Sequence, residues 1–366
     1  MSKRSIAEIA LWFTFQLSKL WVKKPEKTPK SIFILRNNGL GDLLCVTPVF
    51  EMLRKKFPEA QIIVGIGSWH EDLLKNNPFI NGTIQVNAPW HNQFNDVSGI
   101  LPILKYIFFS KEIKTLDRFK FDLSFDIVGS FWGSILFLKL AIPQRIGVKG
   151  YDGGHSSNHL SIIYDSKKHV SQAALDMAKL LEIQEMPEAR PQVFLSKSEI
   201  DYAEKIWNQN TSSKRIILAP GGSFKEKCWG DKNFSQLTNL LLENKNYQIC
   251  IIGSKEDENR ILLNKSKQVS NLCGDLNLRQ SAALVSIADF VICNSSLTMH
   301  LAGAFKIPAL ILLGEWYESS ILHQKQWGYP ESTIVGKEGN HANQKIPSVD
   351  DAYNLFKKLT NSFISI

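Results

Sequence analysis

Ser31-Ile32-Phe33-Ile34-Leu35-Arg36-Asn37-Asn38-Gly39-Leu40-Gly41-Asp42-Leu43 is the stretch on which the fold turns. Its first five residues form a short apolar, β-branched run that reads as a buried parallel strand. Leu43, Val46, Phe50, Leu53 and Phe57 then recur at three- and four-residue spacing, the inner face of a helix. Pro48 falls in or near its first turns, so the helix either starts late, with Thr47 as cap, or kinks there. Gly39 and Gly41 permit positive φ and close approach of a ligand to backbone. Asp42 stands at the helix entrance and has two readings, an N-cap or a general base for a hydroxyl. The third glycine of G-x-G-x-x-G is missing and no acidic residue closes a second strand, which disfavours a nicotinamide dehydrogenase.

Outward from this stretch the pattern repeats. Residues 31–35, 61–66, 83–86 and 122–127 read as strands in the first half, and 215–218, 248–252, 290–293, 309–313 and 333–335 in the second. Helical stretches separate them, so the expectation is two doubly wound parallel-sheet domains with a cleft between them. Pro187 and Pro191 bracket a polar break, with helices expected over 171–181 and 197–208. The expected division is 1–30, a basic amphipathic helix and linker; 31–186; 187–346; and 347–366, a helix that returns to the first domain.

Three more strand-to-helix loops carry chemistry-bearing residues. Pro220-Gly221-Gly222-Ser223 with Lys227 is a plausible metal-free diphosphate cradle, or a polar turn with a surface lysine. Gly253-Ser254-Lys255-Glu256-Asp257 offers a carboxylate for a ribose or sugar hydroxyl, or simply acids favoured by a helix dipole. Asn294-Ser295-Ser296 leaves the next helix with N–H groups for an anion, and His300 one turn in is a donor to phosphate or a packed histidine.

Composition narrows the partners. At about 150 residues per domain, 366 residues make between two and three. The formal charge of +8 is unevenly spread. Residues 1–30 carry seven basic and two acidic side chains, while 171–366 carry equal numbers of each. That speaks against nucleic-acid binding and for a first half that meets something anionic; Lys105, Lys111, Lys114, Arg118 and Lys120 are candidates, or a solvated face. Five scattered cysteines, never in C-x-x-C, imply neither a disulfide framework nor zinc, and fit a cytoplasmic protein. No apolar run approaches bilayer length, and the opening segment is not read as a signal peptide. Ile6, Ile9, Ala10, Phe13, Leu17, Leu20 and Trp21 with flanking lysines suit a helix lying on an anionic membrane surface, or one docked on its own domain.

The ordered set of motifs resembles glycosyltransferase family 9, the heptosyltransferase family of lipopolysaccharide core assembly, nearly end to end from residue 31. The matches are Gly41-Asp42-Leu43-Leu44 with Thr47-Pro48, Phe57-Pro58-Glu59-Ala60, Phe121-Asp122-Leu123 to Arg145-Ile146-Gly147, Pro220-Gly221 with Lys227-Cys228-Trp229, Gly274-Asp275 with Leu278, and Met299-His300-Leu301-Ala302. The resemblance implies a GT-B fold: two Rossmann-like domains, the first holding the acceptor and the second the nucleotide-sugar. It implies an inverting transfer without metal or other cofactor, plausibly of heptose from ADP-heptose, to a lipopolysaccharide-core or related envelope glycan at the cytoplasmic face of the inner membrane. Asp42 is then the base, with Arg36 and the five cations named above near the acceptor; Ser223, Lys227, Asp257, Ser295, Ser296 and His300 attend the donor. Where the family carries an aspartate, a small hydroxyl residue and a glycine, this chain has Ser295, Ser296 and Leu297. That departure keeps two alternatives open, another donor or a catalytically inactive nucleotide- or glycan-binding protein; a nucleotide-sugar epimerase of GT-B shape is a third reading.

Overall fold

The computed structural model describes residues 3–70, 72–91, 99–207, 213–262, 266–338 and 345–363. The chain forms two compact units, Met1–Arg190 and Pro191–Ile366. The division falls at the second of the two prolines in the polar break, four residues beyond the expected position.

The first unit opens with α1 (Lys3–Ser18) and continues through β1 (Ser31–Leu35), α2 (Leu40–Cys45), α3 (Thr47–Lys56), β2 (Gln61–Ile66), β3 (Gly82–Gln85), α4 (Ile100–Phe109) and α5 (Lys111–Leu116). It closes with β4 (Leu123–Asp126), α6 (Phe131–Lys139), β5 (Gln144–Lys149), β6 (Leu160–Ile163) and α7 (Val170–Leu175). Its sheet is ordered β3-β2-β1-β4-β5-β6 and every pairing is parallel. β1 is buried along its whole length, as a central parallel strand must be. Phe33 on β1 stacks on Phe121 at 4.8 Å and meets Phe137 edge-on at 5.8 Å, joining sheet to helices.

The second unit comprises α8 (Lys197–Trp207), β7 (Lys214–Ala219), α9 (Asp231–Leu242), β8 (Tyr247–Ile251), β9 (Val269–Asn271), α10 (Leu278–Ser286) and β10 (Phe290–Cys293). α11 (Leu297–Phe305), β11 (Ala309–Leu312), α12 (Ser320–Trp327), β12 (Ser332–Val335) and α13 (Val349–Phe363) follow. Asn208, the expected end of α8, lies outside the described residues. The sheet order β12-β11-β10-β7-β8-β9 is the first unit's order read from the other edge, again all parallel. α13 packs within the second unit, where the expected division had it return to the first domain. Fully buried Phe356 meets Tyr247 of β8 and Phe290 of β10 edge-on at 5.8 and 5.1 Å, so the helix completes the second unit's core.

Three strands escape the sequence pattern, β5, β6 and β9. β5 carries Arg145 in its interior, yet that side chain is fully buried. Its Nη1 and Nε donate to the carbonyls of Ile142 and Ser157 at 2.7 and 2.9 Å. β6 and β9 are short edge strands with half-exposed side chains, too brief for alternation to show. The expected helix over 171–181 is α7 followed by a tighter 3₁₀ segment, Asp176–Leu181. The helix expected after Asp42 is two: α2 ends at Val46, and α3 restarts with Pro48 in its first turn. Thr47 is inside α3 and its hydroxyl donates to the Leu44 carbonyl at 2.7 Å, bridging the break.

Candidate active site

In a sheet of this order the strands run off in opposite directions on either side of the first and fourth, and the crevice at their carboxyl ends is where ligands seat. In the first unit those strands are β1 and β4, and the loop Arg36–Asp42 leaves β1 there.

Asp42 lies in the first turn of α2, whose N-cap is Gly39. It is therefore not the cap. Its carboxylate is 3.3 Å from Arg36 Nη2, and Arg36 Nε–H donates to its carbonyl at 3.2 Å. Arg36 is buried, whereas the Asp42 side chain remains 30% exposed, so the carboxylate reaches solvent while its backing is fixed. Gly39 has φ of −81° and needs no left-handed freedom. A Cβ there would lie 2.6 Å from the Asp42 Oδ2, so a side chain at this position would push the carboxylate out of its place. Arg36 is thus engaged with Asp42 itself.

Two residues that the sequence did not single out underpin this loop. Trp69 Nε1–H donates to the Asn38 carbonyl at 3.0 Å. His70 is fully buried beneath it. Burial pushes its imidazole down to about 4, against the raising influence of the Gly39 and Gly67 carbonyls, so the ring is neutral at physiological pH. Both lie in the 3₁₀ turn Ser68–His70 directly after β2, and that position was their only signal. At the end of β4, buried Asp126 accepts from Gly129 N–H and Ser130 N–H, both at 2.9 Å, and shapes the turn into α6. Burial pushes this carboxyl up despite those bonds. Lys105, Lys111, Lys114, Arg118 and Lys120 are exposed along α4, α5 and the turn beyond; among the described residues none of the five is held by a carboxylate.

In the second unit the corresponding strands are β7 and β10. Buried Asn294 ties their loops together. Its Nδ2 donates to the Pro220 carbonyl at 2.6 Å and its Oδ1 accepts from Trp229 N–H at 2.9 Å. Trp229 is itself buried in the core, its indole donating to the Pro347 carbonyl at 2.8 Å. Ser223 stands exposed on the crest of the β7 loop. The Lys227 ammonium lies 4.8 Å from the ring centres of both Phe224 and Trp316. The segment after β11 is laced to this loop, Gly314 N–H donating to the Lys227 carbonyl and Trp316 N–H to that of Glu226 at 3.2 and 3.0 Å. Gly314 is obligatory, because a Cβ would lie 2.4 Å from the Cys228 carbonyl oxygen.

Ser295 Oγ is hydrogen-bonded to His323 Nε2 at 2.8 Å, and Tyr317 packs on that imidazole with ring centres 4.6 Å apart. Burial, with help from the neighbouring His300 and Lys227, lowers His323 to about 4. Lys227, Ser295, His323 and Tyr317 thus form one cluster: a fixed cation, a hydroxyl, a neutral imidazole and a phenol. Ser296 is the N-cap of α11 but makes no side-chain cap bond. The other expected donor residues are occupied locally. Asp257 caps its own turn through Ser254, accepting from its N–H and Oγ at 2.9 Å, and pairs with Arg260 at 2.6 Å. His300 is buried in α11, its Nδ1 hydrogen-bonded to the Tyr329 hydroxyl at 2.7 Å. Trp316, Tyr317 and His323 were missed because they follow β11, one strand beyond the loops the motifs had marked. The five cysteines are all free and buried.

The sequence profile of glycosyltransferase family 9 (heptosyltransferase) matches residues 110–352. Lipopolysaccharide heptosyltransferase 2 of Escherichia coli (strain K12) is 24% identical over 299 residues, covering 77% of this chain and 82% of that protein. Among solved structures, that of E. coli ADP-heptose LPS heptosyltransferase II is 20% identical with a TM-score of 0.69, covering 91% of this chain and 99% of that one. The family 9 glycosyltransferase of Veillonella parvula DSM 2008 is 16% identical with a TM-score of 0.73, covering 93% and 99%. The fold class is GT-B, two Rossmann-like parallel-sheet units.

Proposed function

This chain belongs to glycosyltransferase family 9, and on that premise we propose that it transfers heptose from ADP-heptose, with inversion and without a metal, to a lipopolysaccharide-core or related anionic envelope glycan. The acceptor oxygen attacks the anomeric carbon as the bond from that carbon to the diphosphate breaks. Asp42 takes the hydroxyl proton, and the bonding pair leaves with the diphosphate, whose charge is met by Lys227 and by backbone N–H groups of the β7 and β10 loops. The exposed cations of α4 and α5 are proposed contacts for acceptor phosphates or acidic sugars.

The observation that carries this reading is the Asp42 carboxylate, solvent-accessible at the carboxyl end of β1 yet fixed by Arg36. Asp42→Ala is expected to lower turnover by about 10²–10⁴ with ADP affinity nearly intact. The assay, run in excess EDTA, also tests metal independence. Normal transfer by the variant would remove Asp42 as base, and loss of wild-type activity in EDTA would remove the metal-free route.

Ser295 favours a second reading. With its hydroxyl bonded to His323, this corner offers a hydroxyl–imidazole pair where the family pattern has a carboxylate. A different donor sugar or base then fits better than ADP-heptose. A thermal-shift series over nucleotide-sugars separates the two, since a donor at ~100 times its Kd stabilises by ~2.7 kcal/mol. The largest shift from ADP-heptose supports heptosyl transfer, and the largest from another donor supports the second reading. No shift from any of them would favour a scaffold without donor binding.

A further inference from the structure

The helix α1 has two apolar faces. The inner one is docked on the first unit: Leu11 and Phe15 are buried. The Phe15 ring lies 4.8 Å from the buried Arg145 guanidinium and 4.9 Å from the His159 ring. On the same side the Glu8 carboxylate accepts from Gly154 N–H and, at 3.1 Å, from Ser156 N–H. The outer face is Ile6, Ile9, Phe13, Leu17 and Leu20 at three- and four-residue spacing, between 43% and 82% exposed. The turn after Ser18 carries the stripe on, Val22 N–H donating to the Ser18 carbonyl at 2.9 Å. Trp12 and Trp21 flank it and are also exposed. A helix that merely docks needs one apolar stripe; a second on its opposite side is unexplained by the fold and is too large to be incidental.

We propose that this outer face seats the protein on an anionic lipid bilayer, with α1 lying in the headgroup layer while its inner face stays docked. Charge names the occupant. Lys23, Lys24, Lys27 and Lys30 follow the stripe, all exposed, with Glu26 the single acid among them. Apolar insertion beside a cluster of lysines is the pairing that anionic headgroups reward, and tryptophans at the boundary suit the same interface. The same unit carries a second apolar surface with a lysine: α4, which like α1 lies against α6, exposes Leu101, Phe108 and Phe109 beside Lys105. Among the described residues no helix is long and apolar enough to cross a membrane, so the seat is peripheral. It belongs wholly to the first unit and holds whichever donor the second unit takes.

The test is co-sedimentation of the full chain with vesicles of phosphatidylcholine, with and without phosphatidylglycerol. Wild-type protein is expected to pellet with the anionic vesicles and far less with the neutral ones. Phe13→Ser/Leu17→Ser/Leu20→Ser should lower partitioning by roughly tenfold or more, with melting temperature and elution volume unchanged, because these three side chains are more than half exposed. Lys23→Gln/Lys24→Gln/Lys27→Gln leaves the apolar surfaces intact and should weaken binding similarly, by roughly tenfold or more. It carries the test alone if the serine variant melts early. Wild-type protein remaining in the supernatant with anionic vesicles overturns the proposal. So does undiminished binding by the lysine variant, or a dimer that the serine variant splits without any change in vesicle binding.

Discussion

Lys227, the cation proposed to meet the leaving diphosphate, is held in advance of any ligand. A free lysine gives up rotamer entropy to hold one position. Here the Phe224 and Trp316 rings hold its ammonium, each at 4.8 Å, so much of that ordering is complete before a diphosphate arrives. Lys227→Ala is expected to raise the Kd for ADP by about 10–100-fold, the range of a charge-assisted hydrogen bond. Titration calorimetry measures it, and an unchanged Kd would take Lys227 out of the cradle. At this scale the sequence marked Asp42 and Lys227, and marked Arg36 for the acceptor, not as the support of Asp42. His70 and Trp316 went unmarked, because they act through contacts that no spacing along the chain encodes. Asp257 is the converse: Ser254-x-x-Asp257 is a local capping pattern, and the structure engages the carboxylate in it.

Elements were legible where one residue pattern governs them. β1, β2, β7 and β10 are continuous apolar runs because both faces of their sheets are covered. β5 was not, because it buries an arginine that is held by the Ile142 and Ser157 carbonyls outside the strand and covered by Phe15 of α1. That docking has a pH dependence of definite sign. Burial tends to raise the Glu8 pKa, but hydrogen bonds from Ser156 and Gly154 outweigh it and leave the folded value lowered. The contribution is therefore complete above the ordinary glutamate value and is lost as pH falls through the folded one. Amide-exchange protection factors across α1, taken relative to the intrinsic rates at each pH, are expected to fall in the wild type as pH drops below the ordinary glutamate value. In Glu8→Gln that acid response should vanish. A variant that keeps the same response would assign it to another group.

Across the molecule the two units repeat one topology with separate cores, and α13 is assigned by its contacts. Phe356 of α13 is fully buried against β8 and β10, so Phe356→Ala should cost about 3–5 kcal/mol. Calorimetry should show the second unit's transition falling while the first unit's stays. A common drop in both would mean that the helix stabilises more than its own unit.

The sequence by itself determined the alternation of strands and helices, the two-domain plan, and the loops that carry Asp42, Lys227 and Ser295. These depend on local periodicity, glycine and charge, which are written along the chain. The tertiary structure decided the rest. It turned Arg36 toward Asp42, joined Ser295 to His323, fixed Lys227 between two rings and built α13 into the second core. It also docked one face of α1 while leaving the other apolar in solvent. Such pairings join residues far apart in the chain, and their energies depend on distance and desolvation, which only the folded packing supplies.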